Sequence, residues 1–243
     1  MTIDALKALW REAFGDPEGF IQGFFQKGFS PQRCRCVYEN GQLAAALYWF
    51  ECRWGEKKLA YIYGVATAKA FRGKGLCAAL MADTHSHLQN AGYAGAVLVP
   101  ADEGLFSMYE KMGYRGFSPM EKREVRPSGF HSVQEIRPET YGQLRKQRLP
   151  AGGIVQEGDT LRFLCTYARF YTAGDALFCA AREGNTLYIQ EFFGDGEVLP
   201  GITAALAAGK AAVRLPGGDK PFAMYRSFTE DRLMPGYFGI ALD

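Results

Sequence analysis

Between Lys58 and Asn90 the hydrophobic pattern changes its period. From Lys58 to Thr67 the apolar and aromatic residues read as a strand, whereas from Gly75 to Asn90 Leu76, Ala79, Leu80 and Leu88 recur at helical spacing. A short basic segment with two glycines, Arg72-Gly73-Lys74-Gly75, joins them. A strand that feeds directly into a helix needs a sheet for that helix to cover, so all-helical and all-strand folds are excluded.

The flanking segments extend this pattern. Residues 2–14 place Ile3, Leu6, Leu9, Trp10 and Phe14 on one helical face, with Thr2 as cap and Gly15-Asp16-Pro17 as stop. A second helix is expected over 17–28. Strands over 35–38 and 42–52 flank Glu39-Asn40-Gly41, a tight hairpin signal, and a second hairpin turns at Trp54-Gly55-Glu56. After the helix at 75–90 come a strand at 94–99, a short helix at 105–111 and a strand at 114–125. The order α-α-β-β-β-α-β-α-β predicts a mixed α/β sheet.

The chain restarts after Arg126-Pro127-Ser128-Gly129, which predicts two domains, 1–128 and 129–243. The second half echoes the first. Residues 100–109 align without a gap on 216–225, setting Tyr109 over Tyr225, and Leu59–Tyr63 resembles Leu187–Glu191. Duplication of one domain explains both matches; chance likeness of two strand-then-helix units is the alternative.

Composition removes other classes. The 28 basic and 26 acidic residues leave a formal charge of +2, too little for a dedicated nucleic-acid binder. No apolar run reaches the roughly 18 residues that span a bilayer, and Met1-Thr2-Ile3-Asp4 has no basic or apolar leader, so a cytoplasmic protein with no membrane partner is expected. Six cysteines in 243 residues are too sparse for a disulfide scaffold. Cys34-Arg35-Cys36 lacks a second pair at zinc-ribbon spacing, and His85 and His87 point about 200° apart on a helix, so no metal site is expected.

Chemistry concentrates at the strand–loop–helix junction. Backbone N–H groups and the positive dipole end converge at a helix start, and glycine admits a ligand close to the chain. Arg72 and Lys74 add positive charge there, which suits a pyrophosphate. A glycine loop before a helix is also a common plain turn, so the loop alone leaves both readings open. The triphosphate-binding pattern Gly-x4-Gly-Lys-Ser/Thr and the dinucleotide pattern Gly-x-Gly-x-x-Gly are absent.

Arg72-Gly-Lys-Gly75-Leu-Cys77 resembles the Arg/Gln-x-x-Gly-x-Gly/Ala acetyl-CoA-binding pattern of the GNAT superfamily of N-acyltransferases. Gly64-Val65-Ala66-Thr67 looks like that family's splayed strand, and Ala101–Tyr114 looks like its later tyrosine motif. The likeness covers about residues 35–125. It implies two tandem GNAT-like domains, the second degenerate because it lacks the loop, as in the N-terminal part of enhanced-intracellular-survival aminoglycoside acetyltransferases.

Carried over by position, the backbone of Val65, Ala66 and Thr67 would pair with the pantetheine arm. Arg72, Gly73, Lys74, Gly75, Leu76, Cys77 and Ala78 would hold the pyrophosphate. Tyr109 would be the general acid that protonates the departing thiolate; a packing aromatic is the plainer reading of it. Cys77 departs from the pattern, where glycine or alanine is usual. In the survival-protein family a terminal carboxylate is the base, which makes Asp243, ending the strand-like 237–243 tail, the corresponding candidate. Glu51, ending the 43–52 strand, is a candidate base by position, as is Glu191 at the matching place in the second half; for both, a surface or structural carboxylate is the plainer reading. The Arg137–Arg148 basic run reads as a solvated helix face. The aromatics Tyr48, Trp49, Phe50, Trp54, Tyr61 and Tyr63 read as core, with part of them available to an amine substrate.

The expected function is transfer of an acetyl group from acetyl-CoA, as co-substrate, to a primary amine of a small molecule or peptide, by direct attack on the thioester. A longer acyl donor is one rival. A non-catalytic sensor of CoA thioesters or amines on a degenerate fold is another. Exposed edge strands would also invite pairing of copies into a homo-oligomer.

Overall fold

The structure, a computed structural model, describes residues 2–231 and 233–242. Two compact units divide the chain: Met1–Gly116 with Ala223–Met234, and Phe117–Phe222 with Pro235–Asp243. Among the described residues no helix is long and apolar enough to cross a membrane.

The first unit opens with α1, Ile3–Phe14, capped by the Thr2 hydroxyl and closed by Gly15 in the left-handed region at φ +71°. Helix α2, Glu18–Gly23, runs into a wide π-helical turn over Phe24–Gly28, so the helix expected over 17–28 is present but changes pitch. Strands β1 (Cys34–Glu39), β2 (Gln42–Trp54) and β3 (Lys57–Thr67) form an antiparallel meander. Asn40 and Gly41, both at positive φ, make the first turn. The chain then enters α3 (Leu76–Asn90), β4 (Gly95–Leu98) and α4 (Gly104–Lys111). β4 lies parallel to β3, with Leu59, Ala60 and Tyr61 opposite Gly95, Ala96 and Val97.

Alternation along β2 and β3 divides this sheet's side chains between two layers. Trp49, Ile62 and Ala60 pack with Leu80, Met81 and Leu88 of α3 and with Tyr109 of α4. Tyr48, Phe50 and Tyr63 meet Trp10 of α1 and Phe24 on the other face. The aromatic cluster read from the sequence is thus chiefly core.

The second unit contains β5 (Arg115–Val125) from Phe117 onward, β6 (Gln134–Ile136), α5 (Pro138–Arg148), β7 (Val155–Gln156), α6 (Asp159–Leu164), β8 (Ala168–Ala173), β9 (Ala176–Glu183), β10 (Thr186–Phe193), α7 (Leu199–Ala205) and the first part of β11 (Lys210–Ser227). β6, β8, β9 and β10 are antiparallel neighbours, and β10 then pairs in parallel with β11 through Leu187 and Ala211. A hairpin followed by a parallel strand, β9–β10–β11, therefore repeats β2–β3–β4.

The repeat fails where the sequence alignment was longest. Phe106–Tyr109 is helix α4, whereas Phe222–Tyr225 continues strand β11. β11 pairs with β5, and Gly217 and Gly218 lie against Glu121, so this segment meets its hydrogen bonds in a ladder rather than a helix. Its end, Met224–Ser227, belongs to the first unit and pairs with Leu98–Gly95. Tyr225 is consequently no counterpart of Tyr109. The Pro127–Gly129 signal, read as the place where one domain ends, marks a crossing inside the second unit: the Ser128 N–H bonds the Pro200 carbonyl, and Gly201 packs on His131.

Candidate functional site

The site grows from a defect in β3. Ala66 pairs with Ala46 and Tyr63 with Tyr48, so Gly64 and Val65 together oppose Leu47 alone. Gly64 takes φ +58°, the left-handed value of a glycine bulge. Space enforces glycine too, since a Cβ there would lie 3.0 Å from the Tyr48 ring and 3.1 Å from the Trp10 indole. β4 pairs with β3 only through Tyr61, so beyond the bulge the edge of β3 that β4 would occupy is left to Val65, Ala66 and Thr67. An extended ligand can add there as a strand does.

β3 then turns through Lys69–Phe71 into the basic loop. The Lys69 N–H donates to Glu12 Oε1 at 2.5 Å, and Arg72 Nε donates to the Thr67 carbonyl at 3.1 Å. Arg72 is thereby braced rather than loose, with its terminal nitrogens beyond that bond. Lys74 Nζ stands 5.1 Å from the centre of the Phe71 ring. Gly73 and Gly75 both have φ +77°, and a Cβ at either would meet no atom within 4 Å. These two glycines serve backbone geometry and leave room above the loop. Gly75 caps α3, whose first internal bond runs from Ala79 N–H to the Gly75 carbonyl, so the N–H groups of Leu76, Cys77 and Ala78 precede the ladder. Open space, free helix-start donors and two cations suit a pyrophosphate.

Cys77 does not obstruct this cradle: its half-buried side chain packs toward the α3–α4 core. Burial pushes its thiol pKa up. Tyr109 lies close by, 6% exposed, with its ring 5.8 Å from that of Tyr114. Burial pushes the Tyr109 phenol well above its usual pKa, and the neighbouring Cys77 and Asp102 add to this. The phenol is therefore a fully protonated donor at neutral pH.

Glu51 sits elsewhere. It pairs with Ala60 across the sheet, four residues before Gly64, which is roughly 13 Å along an extended strand. Its carboxylate accepts from Tyr93 at 2.6 Å and bonds Lys58 at 2.7 Å. Burial raises its pKa, but the Lys58 and Tyr93 hydrogen bonds outweigh that and hold it below the usual range. Asp243 lies outside the described residues.

Glu191 is on β10, the counterpart of β3 rather than of the strand that carries Glu51. β10 also bulges, since Ile189 and Glu191 oppose the adjacent residues Ala180 and Cys179. Here the chain's own residues pack against the bulged strand. Glu191, 1% exposed, accepts from Tyr141 at 2.6 Å, from Arg145 at 2.7 and 2.9 Å and from Tyr237 at 3.0 Å. A Cβ at Gly239 would collide with Glu191 Oε1. Gln156 donates to the Ile240 carbonyl, and Ser118 bonds Phe238, which fixes the 237–240 tail. Arg145 thus departs from the solvated face expected of 137–148. The charge run concealed it, because the acid that neutralises it stands 46 residues away in sequence.

Trp10 shows in the sequence only as one position of the apolar face of α1, and its contact with the bulge glycine has no local signal. Among the described residues no cluster of His, Cys, Asp or Glu could hold a metal. His85 instead bonds the Tyr114 hydroxyl at 2.8 Å, and His87 packs edge-on to Trp49.

Residues 1–117 match the family model described as Acetyltransferase (GNAT) domain. The first unit carries a GNAT acetyltransferase domain. No curated protein matches the sequence. Among solved structures, a GCN5-related N-acetyltransferase from Kribbella flavida superposes with TM-score 0.66 at 16% identity, over 93% of this chain and 68% of that one. Eis1 from Mycobacterium abscessus gives 0.64 at 11%, over 92% and 70%. A tandem GNAT protein from the clavulanic acid biosynthesis pathway gives 0.55 at 11%, over 92% and 93%. These likenesses extend the GNAT fold over both halves of the chain, two tandem GNAT-like domains of which the second lacks the glycine loop.

Proposed function

We propose that the first unit transfers an acetyl group from acetyl-CoA to a primary amine, and that the second is a non-binding partner domain. The observation that carries the reading is the run of bulge, open strand edge and glycine cradle from Gly64 to Ala78, with a protonated Tyr109 beside its end. Val65, Ala66 and Thr67 hold the pantetheine arm by backbone hydrogen bonds. Gly73, Lys74, Gly75, Leu76, Cys77 and Ala78 wrap the pyrophosphate, with Arg72 beside it. The neutral amine attacks the thioester carbonyl directly; as the C–S bond breaks, the thiolate takes its proton from Tyr109. An acceptor ammonium has a pKa near 10 and gives up its proton before attack. Small-molecule and peptide amines are both acceptors of this class.

In the second unit the bulged strand meets the chain's own Tyr237–Ile240 tail, which supports the absence of a second acyl-CoA site. The test is an amine screen that follows release of free CoA thiol from acetyl-CoA. Thiol release that depends on an amine and matches acetylated product supports the reading. Tight binding of acetyl-CoA without turnover across chemically diverse amines would favour a sensor instead.

A further inference from the structure

The Cys34-Arg35-Cys36 sequence takes no part in acetyl transfer, yet β1 places its two sulfurs together. Residues two apart on a strand share a face, and Cys34 and Cys36 sit opposite Tyr48 and Ala46 of β2. Their Sγ atoms are 3.7 Å apart. Arg35 projects to the other face and holds Asp83 of α3, with Nε at 3.0 Å and Nη2 at 2.5 Å. β1 is the edge of the first unit's sheet and is already irregular at Val37/Tyr38, so its backbone can buckle without breaking a second ladder. Cys36 is half-buried and the more accessible of the two; Cys34 is buried.

We propose that Cys34 and Cys36 form an oxidative modification site, a dithiol that hydroperoxides convert to an intramolecular disulfide. The Cys36 thiolate attacks the terminal peroxide oxygen; the O–O bond breaks, Cys36 becomes a sulfenic acid, and the alkoxide or hydroxide leaves with a proton as alcohol or water. The Cys34 sulfur then attacks Cys36 Sγ. The S–O bond breaks, and hydroxide departs with the Cys34 proton as water. Two thiols lose two electrons in total, and the peroxide gains them.

Exposure assigns the two roles, Cys36 being half-buried and Cys34 buried. The hydrogen bond with Cys34 lowers the Cys36 pKa against the effect of partial burial, with Arg35 adding its charge, while the same bond and burial raise that of Cys34. The more exposed Cys36 is the attacking sulfur and the buried Cys34 the resolving one. Alternate residues of a strand have Cα atoms roughly 6.7 Å apart, near the upper limit that a disulfide spans, so the bond draws β1 together and stays easily reduced. Its closure acts on Tyr48, against which a Cβ at Gly64 would lie at 3.0 Å, and on Arg35, which anchors α3. Both lead to the Gly64–Ala78 site.

The experiment treats the folded wild-type protein with hydrogen peroxide, blocks remaining thiols with an alkylating agent after denaturation, and maps the peptides by mass. Trypsin cuts after Arg35, so the expected product is two peptides held together by a Cys34–Cys36 bond and separated again by dithiothreitol. Protection of both residues in one chain, with Cys52 and Cys179 still alkylated, supports the proposal. In Cys34→Ser, Cys36 should accumulate as a sulfenic acid that dimedone labels. Both thiols remaining alkylatable, Cys36 over-oxidised while Cys34 stays a thiol, or a bond joining two chains would each overturn it. The wild-type map decides the matter even if the variant does not fold.

Discussion

Tyr109 of α4 lies in the core cluster against which Cys77, in the first turn of α3, packs. α4 therefore brings its tyrosine to the first turn of α3, where the glycine loop ends. The sulfur that must be protonated ends the pantetheine arm that Val65–Thr67 would hold, and Val65 packs on the same cluster as Tyr109, which is why Tyr109 is proposed as its acid. Tyr109→Phe is expected to lower kcat by about 100-fold or more with acetyl-CoA affinity unchanged, the usual size of a lost general acid. Stopped-flow turnover beside a binding titration checks it. Unchanged kcat would leave Tyr109 as a packing residue.

Glu51→Gln should keep kcat within a factor of about ten, whereas loss of a general base costs about 10²–10⁴-fold. Its carboxylate is held by Lys58 and Tyr93 at the start of β3, away from the bulge. Steady-state rates of the variant across pH decide the point, and a larger loss together with a lost acid limb would restore Glu51 as the base.

His85 makes stability depend on pH. Burial, with Arg226 nearby, lowers its pKa from 6.5 to about 4 in the folded protein. Between those values the unfolded chain binds a proton that the folded chain does not, so this contribution is complete above about pH 6.5 and fades as pH falls toward 4. Wild type should lose about 2 kcal/mol more than His85→Gln between pH 7 and pH 5, read from urea unfolding. Parallel pH curves for the two proteins would show that His85 titrates normally.

Glu191→Ala leaves the Arg145 guanidinium buried without its counter-charge, at 1% exposure. A destabilisation of about 3–5 kcal/mol is expected by chemical unfolding, the cost of breaking one side of a buried pair. The tail at Tyr237 should loosen with it, visible as faster amide exchange over residues 237–240. A change under about 1 kcal/mol would contradict the network.

Local signals were legible in the sequence. Thr2 and Gly15 bound α1, Asn40-Gly41 turns the first hairpin, and Gly73 and Gly75 mark the loop, because each is set by backbone chemistry within a few residues. Long-range pairing was not. Pro216-Gly217-Gly218 reads as a loop before a helix, yet pairing with β5 draws it into β11, which starts in one unit and ends in the other. Arg145 looks solvated until Glu191 is brought to it, and Trp10 looks like any core aromatic until it stands over Gly64. The motif drew attention to the Arg72–Gly75 loop; the partners that hold the Glu51 and Glu191 carboxylates could be read only from the folded chain.

The central claim is that the Gly64–Ala78 segment holds acetyl-CoA, and calorimetric titration of wild type beside Gly75→Asp tests it most directly. A side chain at Gly75 meets no atom within 4 Å and costs only left-handed strain, about 1–2 kcal/mol, so the variant should fold while its carboxylate occupies the pyrophosphate position. The account predicts micromolar binding to wild type, lost in the folded variant. Equal binding to both would place the cofactor elsewhere, and no binding to wild type would contradict the acetyltransferase reading itself.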